Sequence, residues 1–297
     1  MKLVTAIVFL GAHGFAGVDL GTESGQVVSA LARECAQVET LAVAPPRTPL
    51  AARTEVRLRC RGYLGGGGVK DADFLIADGE LSMVELRGQG VADWVRAQTS
   101  ADPTALGDFA VFADDRLVLN EATGRAFVID AGDLRSYAFL QSDPFADSNE
   151  ATDSGDAERP PELPMGEKLE TVKSSLSAAC TSLVVRDLDP ASHPFKPARH
   201  VQIDCYGYDF LGFPRLVEAV FADDELTHAW ILTTEREEER NRAALVARYG
   251  EAVRSDDAFE VYDDGTVALR KDDNPEILFM SKAMADYFAK NMQGQGG

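Results

Sequence analysis

Four cysteines are the residues whose type and spacing point most directly to chemistry in this 297-residue chain. Twenty-five positions separate Cys35 from Cys60, and the same number separates Cys180 from Cys205. Two lone cysteines that far apart match no zinc knuckle of the C-x₂₋₄-C kind, so oxidation to disulfides is the chemistry to expect. Four cysteines allow three pairings. The repeated spacing selects Cys35–Cys60 and Cys180–Cys205, because each half of the chain then carries its own bridge. Closing a loop of that length stabilises by about 3.5 kcal/mol in the chain-entropy model. Such bridges persist in an oxidising compartment, which points to a periplasmic or secreted protein.

Other side chains with chemical potential are less organised. After residue 13 the only histidines are His193, His200 and His228, none at helical i,i+4 spacing. A catalytic base or a metal site there would have to be assembled in three dimensions. The acid clusters Asp114-Asp115, Asp223 to Glu225 and Asp263-Asp264 fall where hairpin turns are expected, and none has the ligand spacing of a calcium loop. Gly65 to Gly68 precede Val69-Lys70 without the spacing, or the following Ser or Thr, of a phosphate loop. The sequence also contains no G-x-S-x-G, H-E-x-x-H or G-x-G-x-x-G motif. It assigns no catalytic residue, no metal ligand and no cofactor. Gly62-Tyr63 and Gly207-Tyr208 recur just after the second cysteine of each pair, which leaves two readings. The tyrosine ring covers the disulfide, or the segment is a recognition loop with Tyr63, Tyr206, Tyr208, Phe210 and Phe213 as its binding residues.

These residues are positioned by a duplication. A shift of 145 positions lays Cys35 to Leu81 on Cys180 to Leu226 without a gap. Pro45 falls on Pro190, Pro49 on Pro194, Val56 on Val201, Gly62-Tyr63 on Gly207-Tyr208, Ala77-Asp78 on Ala222-Asp223, and Glu80-Leu81 on Glu225-Leu226. Each copy opens with a helix before its first cysteine, marked by Val27, Val28 and Leu31 or by Val172 and Leu176. Strands follow at 38–43 and 183–188. A half-buried strand then alternates Val56, Leu58 and Cys60, or Val201, Ile203 and Cys205. Asp78-Gly79 between apolar runs signals a tight hairpin. Thr234 and Glu237 form a capping box for a helix that ends at Gly250, with Leu245 and Tyr249 on its buried side. Shorter strands and a terminal helix holding Tyr137 or Tyr287 close each copy.

The expected fold is therefore α+β: two tandem repeats, each an antiparallel sheet with helices packed on one face and one internal disulfide. Residues 23–141 form repeat 1 and residues 168–292 repeat 2. Residues 142–167 hold eight acids, one Arg and four prolines, and read as a flexible acidic linker. Residues 1–16 read as a signal peptide, with Lys2, an apolar run from Leu3 to Leu10 and a small-x-small site at Gly14-Phe15-Ala16. No stretch reaches the ~20 apolar residues of a membrane-spanning helix.

Net charge is −20, from 29 basic and 49 acidic residues. A field of that sign disfavours nucleic acid and anionic lipid and favours a basic partner. The functional expectation is a non-enzymatic exported protein that binds another protein. The alternative is a hydrolase, or a small-ligand or metal binder, with a site between the two repeats.

Overall fold

A computed structural model describes residues 14–44, 46–106, 108–112, 116–130, 140, 156–272 and 275–292. The chain divides into two compact units, residues 1–46 with 53–134 and residues 47–52 with 135–297.

In the first unit a short ribbon, β1 (Gly14–Phe15) with β2 (Val18–Asp19), precedes α1 (Ser24–Glu34). The main sheet contains β3 (Cys35–Val43), β4 (Glu55–Tyr63), β5 (Asp71–Ala77) and β6 (Glu80–Arg87). After α2 (Val91–Gln98) come β7 (Thr104–Leu106), β8 (Phe109–Phe112), β9 (Leu117–Asn120) and β10 (Arg125–Ile129). All pairings are antiparallel, in the order β3-β4-β5-β6-β10-β9-β8-β7. Helical spacing puts Val27, Ala30 and Leu31 of α1 on one stripe, with Val91 and Val95 of α2 beside them. Both stripes close on Leu58, Cys60, Phe74, Ile76 and Leu86, which alternate onto the same face of the sheet.

The second unit repeats the plan. It contains α3 (Leu169–Ala179), β11 (Ser182–Leu188), β12 (His200–Phe210), β13 (Phe213–Ala222), β14 (Glu225–Leu232) and α4 (Glu238–Tyr249). It ends with β15 (Arg254–Ser255), β16 (Phe259–Tyr262), β17 (Val267–Arg270), β18 (Glu276–Met280) and α5 (Lys282–Met292). The order β11-β12-β13-β14-β18-β17-β16-β15 reproduces the first sheet strand for strand. Here α3 and α4 share one face through Val172, Leu176 and Leu245, while α5 packs Met284 and Ala285 against Leu278 and Met280 on the other. The α+β class and the two tandem antiparallel sheets are as expected. So are the two bridges, Cys35–Cys60 and Cys180–Cys205, with Cα atoms 5.5 and 5.6 Å apart.

Residues at matching positions of the two copies account for this architecture. Asp78-Gly79 and Asp223-Asp224 are two-residue hairpin turns, and all four residues have positive φ. The Oδ1 of Asp78 accepts from the backbone N–H groups of Arg53 and Thr54, and Oδ1 of Asp223 from those of Ala198 and Arg199, at 2.8 to 3.0 Å. These carboxylates lock each hairpin to the start of the preceding strand, a structural role that uses up the turn acids. Gly62 (φ 66°) and Gly207 (φ 82°) carry the chain through a left-handed bend after each bridge, and a Cβ at Gly62 would meet that of Ala36 at 3.1 Å.

Two stretches that composition marks as boundaries hold buried residues. Phe15 and Ala16, the last residues of the expected signal peptide, are buried in the first core, with the Phe15 ring 4.6 Å from that of Tyr63. Residues 156–167 of the expected flexible linker are built into the second unit. Ala157, Pro160 and Leu163, three apart, turn inwards, while Glu158 faces out and Glu162 is half-buried. Average composition conceals that periodicity. Residues 1–13, Asp114-Asp115, the Tyr137 helix and 141–155 lie outside the described residues. Among the described residues, no helix is long and apolar enough to cross a membrane.

Candidate functional site

The predicted aromatic residues do not form an exposed loop. Tyr206 pairs with Ser182 across β11 and β12, and the register then shifts at Gly207. The extra residue turns Tyr208 and Phe210 towards the helix-covered face, where both are buried in the second core. Tyr208 donates to Glu162 Oε2 at 2.6 Å, so the 156–167 segment covers the ring. Burial first, then the neighbouring Glu162, pushes the Tyr208 phenol well above its ordinary value. Phe213 is half-buried under the guanidinium groups of Arg215 and Arg240, 5.2 and 5.0 Å from its centroid. Tyr63 is half-buried and packs on Phe15. A cavity of about 580 Å³ lies between residues 156–164 and the β12–β13 turn, with Tyr208, Phe210 and Leu211 in its wall. The bulge at Gly207 reverses the face that Tyr208 and Phe210 would otherwise occupy, and Tyr206, which precedes it, is buried as well.

Tertiary structure does bring the three histidines together. The His193 ring centroid lies 5.0 Å from that of His200 and 5.8 Å from that of His228, and all three side chains are buried. His193 Nδ1 accepts from the Phe195 N–H at 3.1 Å, which leaves the proton on Nε2, 3.2 Å from Thr227 Oγ1. Thr227 is the bulge residue of β14, and its hydroxyl donates to the Val220 carbonyl at 3.0 Å. The same oxygen lies 2.9 Å from His228 Nδ1 and can accept from both imidazoles. His200 Nδ1 faces the Asp189 carbonyl at 3.0 Å, an acceptor only, so that nitrogen carries its proton.

Burial, followed by the charge of His200, lowers His193 to about 4. Burial, followed by His193 and His200, lowers His228 to about 3. Both are therefore neutral at pH 7. Ser192 stands 3.2 Å from His200 Nδ1, but its hydroxyl donates to the Asp189 carbonyl at 2.7 Å. Its proton and that of the imidazole share one acceptor, an arrangement that supplies no general base for a serine nucleophile. Among the described residues, no group of three or more His, Cys, Asp or Glu is placed to hold a metal ion.

At the corresponding positions, 145 residues earlier, the first copy has Thr48, Glu55 and Met83. Its sheet carries a charge ladder on the face away from α1. Asp73 accepts from Arg59 at 3.2 Å and lies 2.7 Å from Arg87, while Glu85 is bonded by both Arg87 and Arg125. Burial pushes the Asp73 carboxyl up despite those arginines. The copies thus share their framework and differ on that face.

What each sheet leaves open is one edge. Strands β7 and β15, at one end of each order, have three and two residues. At the other end β3 has nine and β11 seven, and both are mostly exposed. Among the described residues eight large apolar side chains are exposed, and Leu41, Val184 and Val185 on these two strands are three of them. Sequence reasoning missed these residues. The hydrophobic run at 183–185 was visible, but its place at the end of a sheet was not.

No protein-family model matches the chain, and no curated protein or solved structure matches it.

Proposed function

We propose that this is an exported protein, periplasmic or secreted, that acts without catalysis by binding another protein through the first sheet strand of each repeat. One observation carries the reading: matching edge strands in both copies display Leu41, Val184 and Val185 to solvent. Solvent-exposed apolar side chains on a long, unprotected sheet edge are a liability unless a partner covers them. Each bridge also ties the edge strand to its neighbour, since Cys35 and Cys180 lie at or just before the starts of β3 and β11 and Cys60 and Cys205 lie within β4 and β12. A stapled edge is pre-organised for binding, and the bridges suit an oxidising compartment.

The test is site-specific photo-crosslinking of the exported full chain, with the photoreactive residue placed at Val184, at Leu41 or, as an exposed control, at Val28. A discrete adduct with one polypeptide from Val184 or Leu41, absent from Val28, supports the reading. Adducts of equal yield from all three positions, or from none, contradict it.

A further inference from the structure

Building on the protein-binding proposal, and resting on it, we infer that β11 takes its partner by strand addition. The occupant is an extended, basic segment of another protein.

Backbone chemistry supplies the first part. Every second residue of an edge strand turns its N–H and C=O outwards, so seven residues leave about three unpaired sets over about 23 Å. Usual protections against such pairing are a very short strand, a proline, a bulge or a lysine pointing along the edge. β15, at the other end of this sheet, has the first of these. β11 reads Ser-Leu-Val-Val-Arg-Asp-Leu, pairs with β12 without a break in register from Ser182 to Leu188, and contains no proline, bulge or lysine; its two charged residues, Arg186 and Asp187, lie in its second half and leave Leu183 to Val185 unguarded. Val184 and Val185 are adjacent, so they project from opposite faces, and each is about two-fifths exposed (38% and 43%). An added strand would place side chains beside both at once, which is the pairing unit that stabilises sheets. β3 is the weaker candidate: Leu41 alone is exposed among its large apolar residues, and its Gln37 and Glu39 bond to each other at 3.3 Å.

Charge selects the occupant. The single cation of β11, Arg186, is held by Asp204 at 2.7 Å. Asp187 is highly exposed, and its partner Arg199, at 3.5 Å, is shared with Asp224 at 2.6 Å. The strand therefore keeps negative charge at its end, within a protein of net charge −20. A second copy fits poorly. Pairing β11 with itself about Val185 would set Asp187 against Leu183 and Arg186 against Val184, between two strongly acidic molecules. A segment with β-branched residues opposite Val184 and Val185 and a Lys or Arg opposite Asp187 satisfies all three features.

The probe is a fluorescent peptide, acetyl-Lys-Val-Thr-Val-Lys-Val-Lys-amide, titrated into the oxidised full chain and read by anisotropy. The expected result is saturable binding that weakens with salt. Binding should fall at least about tenfold for the same peptide N-methylated at alternate residues, which cannot form the ladder, and for Val185→Pro in the protein. The N-methyl comparison leaves the protein untouched, so it decides the matter even where the proline variant fails to fold. Equal affinity for the N-methylated peptide, equal affinity for a peptide with Glu in place of Lys, or no binding at all would overturn the inference. So would sedimentation of the chain as a dimer that Val185→Pro dissolves. An adduct at Val184 in the crosslinking experiment alongside any of those outcomes would leave the protein-binding reading standing without strand addition.

Discussion

Lowering the pH from 7.5 to 5.0 should destabilise the protein through its buried histidines, and His228→Met isolates the effect. Methionine is the residue at the corresponding position of the first copy, Met83, and fills a similar volume. The folded state holds His228 at about 3, against about 6.5 when unfolded. A base whose value is depressed on folding leaves stability fully present above the unfolded value, and stability is lost as pH falls below it. At pH 5.0 the unfolded imidazole is almost wholly protonated and the folded one is not. The 1.5-unit gap between 6.5 and 5.0 costs about 2 kcal/mol for His228 alone. His193, held at about 4, acts in the same direction. Asp223 is the acid that opposes this at His193, and the raised Asp73 carboxyl is common to both proteins. Urea unfolding of wild type and His228→Met at both pH values gives a difference of differences from which other groups cancel. The wild type should lose about 2 kcal/mol more than the variant between pH 7.5 and 5.0. Equal losses would refute the reasoning, as would an NMR titration of His228 with its midpoint near 6.5.

Other perturbations test the framework. Arg215 and Glu237 are both fully buried and joined by two bonds of 2.6 and 2.7 Å, with Glu237 also closing the capping box on Thr234. Burial alone would raise the Glu237 carboxyl, yet Arg215 holds it below its ordinary value, so Glu237→Gln should cost about 3 to 5 kcal/mol in chemical denaturation. Leu163→Ala should cost about 2 to 4 kcal/mol and speed proteolytic cleavage within residues 156–167, because Leu163 anchors that segment in the second core. Cys180→Ala with Cys205→Ala should lower stability by about 3.5 kcal/mol, measured against the oxidised protein. Asn241 is fully buried with neither side-chain polar atom bonded, so Asn241→Leu should raise the melting temperature.

Local chemistry was enough to read much of this protein from its residues in order. Cysteine spacing and the 145-residue offset led to both bridges and to two copies of one module, because a disulfide must close within each duplicated unit. Asp78-Gly79 and the alternation of Val201, Ile203 and Cys205 are short-range signals that became the expected elements, and the capping box at Thr234 and Glu237 closes a 3-10 turn, Glu235–Glu237, that leads into α4. Three things depended on contacts between residues far apart in the chain. A one-residue bulge at Gly207 reversed the faces of Tyr208 and Phe210, and no periodicity marks where a ladder will slip. Segment 156–167 became ordered because Ala157, Pro160 and Leu163 found a core to enter, whereas the acids between them dominate the composition. His193, His200 and His228 converge only because β12 and β14 flank β13 in one sheet, with the bulge at Thr227 beside them. Sequence determines which strands can exist, through pattern and turn chemistry. Which strand ends the sheet, and so which side chains a partner can reach, is decided by the order in which those strands pair.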